Sequence, residues 1–159
     1  MTDNYFCELM NVVISIPDKK FMNTIIEDKL AIEELIARYN HSIDGGDYET
    51  WLDCWSEDAV MDGVGQYRTG IASIREFANS YEANHRSKIP GLRHFTVNIF
   101  SEINGDEATS RSYLQLTRTG AKGAQIIFTG RYEDTLIKRE GKWRFQSRKF
   151  IQDMPPVDK

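Results

Sequence analysis

The chain reads as an α+β domain in which helices come first and pack on one face of a curved, mostly antiparallel sheet. Three observations carry this reading. From residue 24 to about residue 85 apolar side chains recur at helical spacing. Beyond Pro90-Gly91 the period switches to two. The segments of period two are joined by short glycine-bearing loops, as hairpins require: "NGD" (Asn104 to Asp106), "TGAKG" (Thr119 to Gly123) and "REGK" (Arg139 to Lys142).

The first helix follows from "TIIE", a capping-box sequence with Thr24 as N-cap and Glu27 reaching back. Ile25, Ile32, Ile36, Tyr39 and Ile43 continue at helical spacing, and Gly45-Gly46 after Asp44 is a natural stop. "DYETWLDCW" (47–55) predicts a short second helix capped by Asp47. "DAVMDG" and "GQYRTG" form a short hairpin. A third helix runs from Ile71 to about His85, with Ile71, Ile74, Phe77, Ala78 and Tyr81 along one face. Four strands are expected at about 93–103, 107–118, 124–139 and 142–152. Together these assign residues 24–153 to one domain, preceded by an arm (1–23) and followed by a loose tail (154–159). Within the arm, "FCELMNVVISIP" reads either as an extra strand or as a leader ahead of a start at Met22.

Length and charge narrow the class of function. A chain of 159 residues can build one domain with a real core. Its net charge of −4 comes without any basic stripe, which argues against a nucleic-acid partner. No apolar run approaches a membrane span. Cys7 and Cys54 lack metal or redox spacing, and "MTDNYF" has no positive leader region, so a cytoplasmic setting is expected. Phosphate-binding, nucleophile-elbow and H-E-x-x-H motifs are absent. With only His41, His85 and His94, and no paired spacing, neither a metal nor a cofactor is expected.

Acid–base chemistry is left. Tyr39 and Asp44 on the first helix, His94 on the first long strand and Arg148 on the last suit it. An aspartate that accepts from one imidazole nitrogen fixes the tautomer and frees the other nitrogen as a base. A tyrosine or arginine steadies the oxygen that gains charge. Each residue also has an ordinary reading: Tyr39 as core, Asp44 as a turn residue, His94 as a surface residue, and Arg148 on a solvated strand face with Arg144 and Gln146. Tyr39 and Asp44 are separated by about 140° on a regular helix, so one pocket reaches both only if the helix end unwinds or the pocket wraps around it. In "GLRHFTVNIF" (91–100), alternation sends His94, Thr96, Asn98 and Phe100 one way and Phe95, Val97 and Ile99 the other. A pocket between helices and sheet would draw its wall from Trp51, Trp55, Met61, Phe77, Asn98 and Phe128. These favour a small, apolar, ring-containing ligand.

The pieces "IEELIARYNHSIDGGDYETWLDCWSEDAVMDG", "YRTGIASIREF", "RHFTVN", "NGDEATSRSYL" and "GRYEDTLIKREGKWRFQSRKF" resemble the SnoaL-like polyketide cyclase family of the nuclear transport factor 2-like superfamily, over roughly residues 24–153. The resemblance implies the cystatin-like cone. It extends to a branch with scytalone dehydratase, bile acid 7α-dehydratase and hexachlorocyclohexane dehydrochlorinase, where an Asp–His dyad performs β-elimination. The matching positions are Asp44 in "YNHSID", His94 in "RHFTVN", Arg148 in "WRFQSR", and Tyr39, which corresponds to a tyrosine of the bile acid enzyme and a lysine of the dehydrochlorinase. What this implies is a cofactor-independent dehydratase or isomerase acting on a small cyclic molecule, assembled as a dimer or trimer. The same fold also serves non-catalytic binding proteins and the small subunits of ring-hydroxylating dioxygenases, and a ketosteroid-isomerase-like activity is a third alternative.

Overall fold

The computed structural model describes residues 19–63, 65–86 and 88–154. Helix α1 (Lys19–Gly45) leads into α2 (Tyr48–Asp53), strands β1 (Trp55–Gly63) and β2 (Gln66–Thr69), and helix α3 (Ile71–Tyr81). A π-helical turn at Glu82–Arg86 follows, then β3 (Leu92–Asn104), β4 (Glu107–Gly120), β5 (Gly123–Arg139) and β6 (Lys142–Gln152). The strands form one six-stranded sheet in the order β2-β1-β6-β5-β4-β3. Every neighbouring pair is antiparallel except β1 with β6. The α+β layout and each element of the sequence reading are present.

One boundary moves. Helix α1 starts at Lys19, so Thr24 lies inside it rather than capping it. No glycine or proline stands between Lys19 and Thr24, and nothing stops the helix from propagating upstream. Residues 19–23 are therefore helical, while the rest of the arm, including the extra-strand reading and Cys7, lies outside the described residues. So does the tail from residue 155. Asp47 caps α2 as expected, its carboxylate accepting from the Thr50 N–H at 3.1 Å.

The core lies between the helices and the concave face of the sheet. Ile32, Leu35, Ile36, Tyr39 and Ile43 form the buried stripe of α1. Tyr39, Trp51, Trp55 and Phe145 interlock, with ring centroids 5.5–5.8 Å apart. Asp28 fastens α1 to the far end of the sheet by accepting from Lys138 Nζ at 2.7 Å and Trp143 Nε1 at 2.9 Å.

Two β-bulges overturn face assignments made by strict alternation. In β3 the pairing slips between Val97 and Phe100, with one extra residue on β3. Asn98 sits at the slip with φ +54° and is exposed, and Ile99 turns inward in its place. Neither Asn98 nor Phe100 shares the inner row with His94 and Thr96. In β6 the pairing Thr135↔Ser147 is followed by Leu136↔Phe145, which leaves Gln146 as the inserted residue. Arg148 consequently joins the buried face of Phe145 instead of the half-exposed face of Arg144.

Candidate active site

Helix α1 ends beside β3, one of the two edge strands of the sheet, and Asp44 occupies its last turn. An acid there is the charge sign that the helix dipole disfavours, so helix stability does not explain it. Two donors from β3 hold it. Asp44 Oδ2 accepts the backbone N–H of His94 at 2.9 Å, and Oδ1 accepts from His94 Nδ1 at 2.6 Å. A carboxylate is acceptor-only, so Nδ1 carries a proton, and in the neutral ring Nε2 keeps the lone pair. Among the described residues nothing bonds Nε2. The pair is largely buried, with 13% of the His94 side chain and 9% of the Asp44 side chain exposed. Gly91 sets the approach of β3. Its φ is +80°, and a Cβ there would lie 2.6 Å from the Thr119 carbonyl oxygen, so only glycine fits.

The dyad opens into a groove of about 370 Å³ between α1 and β3. Asn40, His41 and Asp44 line it from the helix, His94, Thr96 and Val97 from the strand. Thr96 Oγ1 donates to Asn40 Oδ1 at 3.3 Å.

The four expected site residues divide into two groups. Helix α1 stays regular to Gly45, so Tyr39 and Asp44 face different ways. Tyr39 turns into the aromatic core, where burial raises its pKa and keeps the phenol protonated. Arg148 stacks on it, the guanidinium carbon 4.4 Å from the Tyr39 ring centroid, 4.0 Å from that of Tyr132 and 4.1 Å from that of Phe145. Its Nε and Nη2 donate to the two carboxylate oxygens of Asp134 at 2.9 and 3.0 Å. Arg148 is only 2% exposed, so the solvated-face reading fails. Burial opposes its charge, but Asp134 outweighs burial and holds the guanidinium charged. Among the described residues Nη1 is a buried donor with no hydrogen-bond partner.

Of the expected pocket wall, Trp51, Trp55 and Met61 are buried in the core cluster. Phe77 packs half-buried between Trp51 and Tyr81, and Phe128 packs on Phe150. Asn98 is on the outside. The apolar content that suggested a ligand wall is used to fill the space between helices and sheet.

Tyr81 is a residue the sequence reading did not assign to the site. Its ring stacks between those of Phe77 and His85, and burial, followed by the charge of Asp44, raises its pKa. Asp134, Tyr132 and Asn40 were also missed. Only Asn40 carried a sequence signal, because it stands four residues before Asp44 on one helical face.

The model of the SnoaL-like domain family matches residues 24–149. No curated protein matches the chain. Among solved structures, a function-unknown protein of Mycobacterium tuberculosis (Rv3472, solved as an aspartate-to-asparagine variant) is 32% identical, with TM-score 0.74 over 83% of this chain and 75% of that one. A provisionally assigned aromatic ring hydroxylase of Novosphingobium aromaticivorans is 33% identical, with TM-score 0.70 over 82% and 92%. A provisionally assigned scytalone dehydratase of the same organism shares the fold at 23% identity, with TM-score 0.71 over 84% and 89%. An ntf2-like protein with a cystatin-like fold, also from that organism, overlays with TM-score 0.76. With its helices first, its cystatin-like sheet and a family match over most of its length, the chain belongs to the SnoaL-like domain family.

Proposed function

We propose that the protein is a cofactor-independent lyase of the dehydratase type, or an isomerase, acting on a small, mostly apolar cyclic molecule. The observation that carries this is the Asp44–His94 pair: one carboxylate holds both the ring and the backbone of the histidine and leaves Nε2 free at a groove. In this reading Nε2 removes a proton next to a carbonyl, and Asp44 stabilises the imidazolium that forms. Family membership and the fold shared with the provisionally assigned scytalone dehydratase support a dehydratase or cyclase role.

The test is ¹H–¹⁵N NMR of the imidazole rings in wild type and Asp44→Ala. The expected result is a single Nδ1–H tautomer for His94 that disappears in the variant. A His94 tautomer that ignores Asp44 would remove the base. A screen of cyclic hydroxy-ketones for loss of water follows a positive result.

One observation favours a second reading. Trp51, Trp55 and Met61 fill much of the space that a large ligand would need, which suits a non-catalytic binding protein or subunit. Wild-type turnover in the screen that is lost in His94→Ala excludes it.

Self-association is part of the same proposal. The outer sheet face exposes Phe95, Val97, Tyr113 and Ile126. Beside them Arg111, Arg131 and Glu133 carry both signs, so a second copy related by a two-fold axis meets complementary charge. Light scattering should give a multiple of the chain mass for wild type and a monomer for Tyr113→Glu. A wild-type monomer at micromolar concentration sinks the idea. A cytoplasmic setting fits the free, buried thiol of Cys54.

A further inference from the structure

We propose that Asn40 is the hydrogen-bond donor that holds and polarises the substrate oxygen beside His94, and that Thr96 is the positioning residue that sets its orientation. The proposal rests on the dyad reading above and names a residue that reading lacks. Tyr39 and Arg148, which the family resemblance nominates for this task, lie in the aromatic core and leave it to another residue.

The placement is geometric. Asn40 and Asp44 are four residues apart and stack on one face of α1, while His94 and Thr96 are two apart and share one face of β3. Two parallel rungs cross the seam, Asp44 to His94 and Asn40 to Thr96. All four side chains line the groove. In the second rung the Thr96 hydroxyl donates to Asn40 Oδ1 at 3.3 Å. A carboxamide has one acceptor oxygen and two N–H donors. With Oδ1 turned to Thr96, Nδ2 lies on the opposite side of the carboxamide. Among the described residues nothing accepts its hydrogens.

The charges around the groove select the ligand class. Glu33 and Asp44 line one side, Arg93 the other. This balance leans acidic and disfavours a carboxylate or phosphate. A neutral carbonyl fits, on a ring that rests against Ala37 and Ile99. The step then balances. Nε2 of His94 takes the α-proton, the C–H pair forms the Cα–C double bond, and the carbonyl π pair moves to oxygen, which Asn40 Nδ2 stabilises. Return of that pair expels a β-hydroxyl, which takes the proton from His94 and leaves as water.

The experiment uses the full chain with 1-indanone as a ring-ketone probe and indane, which lacks the oxygen, as its control. Chemical shifts of the Asn40 amide pair and binding are followed by ¹H–¹⁵N NMR. Deuterium uptake at the indanone α-carbon in D₂O reports proton abstraction. Indanone should move the Asn40 amide pair and indane should not. Asn40→Ala should weaken indanone about fivefold, the worth of one hydrogen bond, and leave indane unchanged. It should also slow deuterium uptake by at least tenfold. Alanine is a better helix former than asparagine, so this variant folds. Thr96→Val should reproduce part of the loss and Thr96→Ser should restore it. Indanone binding no tighter than indane, an amide pair that stays still, or Asn40→Ala binding like wild type each overturn the proposal. His94→Ala separates the two ideas: it should abolish deuterium uptake and leave the Asn40 shift in place. Uptake that survives in His94→Ala removes the base and leaves the donor standing.

Discussion

Asp44–His94 and Asp134–Arg148 are both acid–base pairs held within 3.0 Å, and the family resemblance places His94 and Arg148 in one catalytic set. Their surroundings set them apart. At the α1–β3 seam the carboxylate is satisfied by two donors from one residue, and the imidazole keeps a lone pair beside a groove. In the core the guanidinium is clamped by a carboxylate on one side and aromatic faces on the other. The first arrangement leaves a group that can exchange a proton. The second spends its charge on its partner and locks three rings and two strands together. Residue type alone does not separate chemistry from architecture. What does is whether a reactive atom remains after the partners are counted.

The comparison can be broken from either side. The largest effect is expected for Asp134→Ala, which strands a buried guanidinium and should cost about 3–5 kcal/mol of stability in urea unfolding. Folded Asp134→Ala should keep its His94 tautomer. If stability is unchanged, the core pair is not structural. His94→Ala should do the reverse. Any elimination activity should fall by roughly 10²–10⁴-fold while the unfolding midpoint stays close to wild type. Asp44→Asn sharpens the contrast, because an amide can accept only one of the two bonds. Loss of the fixed tautomer should lower activity by roughly 10–10³-fold, and the lost bond should cost about 1–3 kcal/mol. Retention of full activity would mean that Asp44 only anchors the strand. The smallest effect belongs to Tyr39→Phe, which keeps the ring under Arg148. It should alter stability by less than about 1 kcal/mol and leave turnover within about twofold. A collapse of turnover in this variant would return Tyr39 to the reaction.

Much of the fold was legible in the sequence. Apolar spacing, Gly45-Gly46 and the three glycine-bearing loops place nearly every element, because these are local signals. The pairing of Asp44 with His94 was suggested by residue type and strengthened by resemblance, and the two side chains meet in the structure. What could not be read were the bulges. Counting back from the Arg139↔Lys142 pair sets Glu133 opposite Arg148, and only the insertion of Gln146 moves the pairing to Asp134. The same kind of insertion sends Asn98 outward. Asn98 is one of the few residue types that tolerate its positive φ, a hint recognisable only in retrospect. The wall residues failed for another reason. Composition counts aromatic side chains and does not say whether they face a ligand or one another.

The bond from Asp44 to the His94 backbone has a consequence outside catalysis. β3 is a rim strand of thirteen residues. A rim of open N–H and C=O groups is where unrelated chains stack into aggregates. Asp44 occupies one of those donors, and the bulge at Asn98 bends the rest out of register. Because that bond is made to a backbone N–H, Asp44 would close the rim at this point whatever side chain stood at position 94.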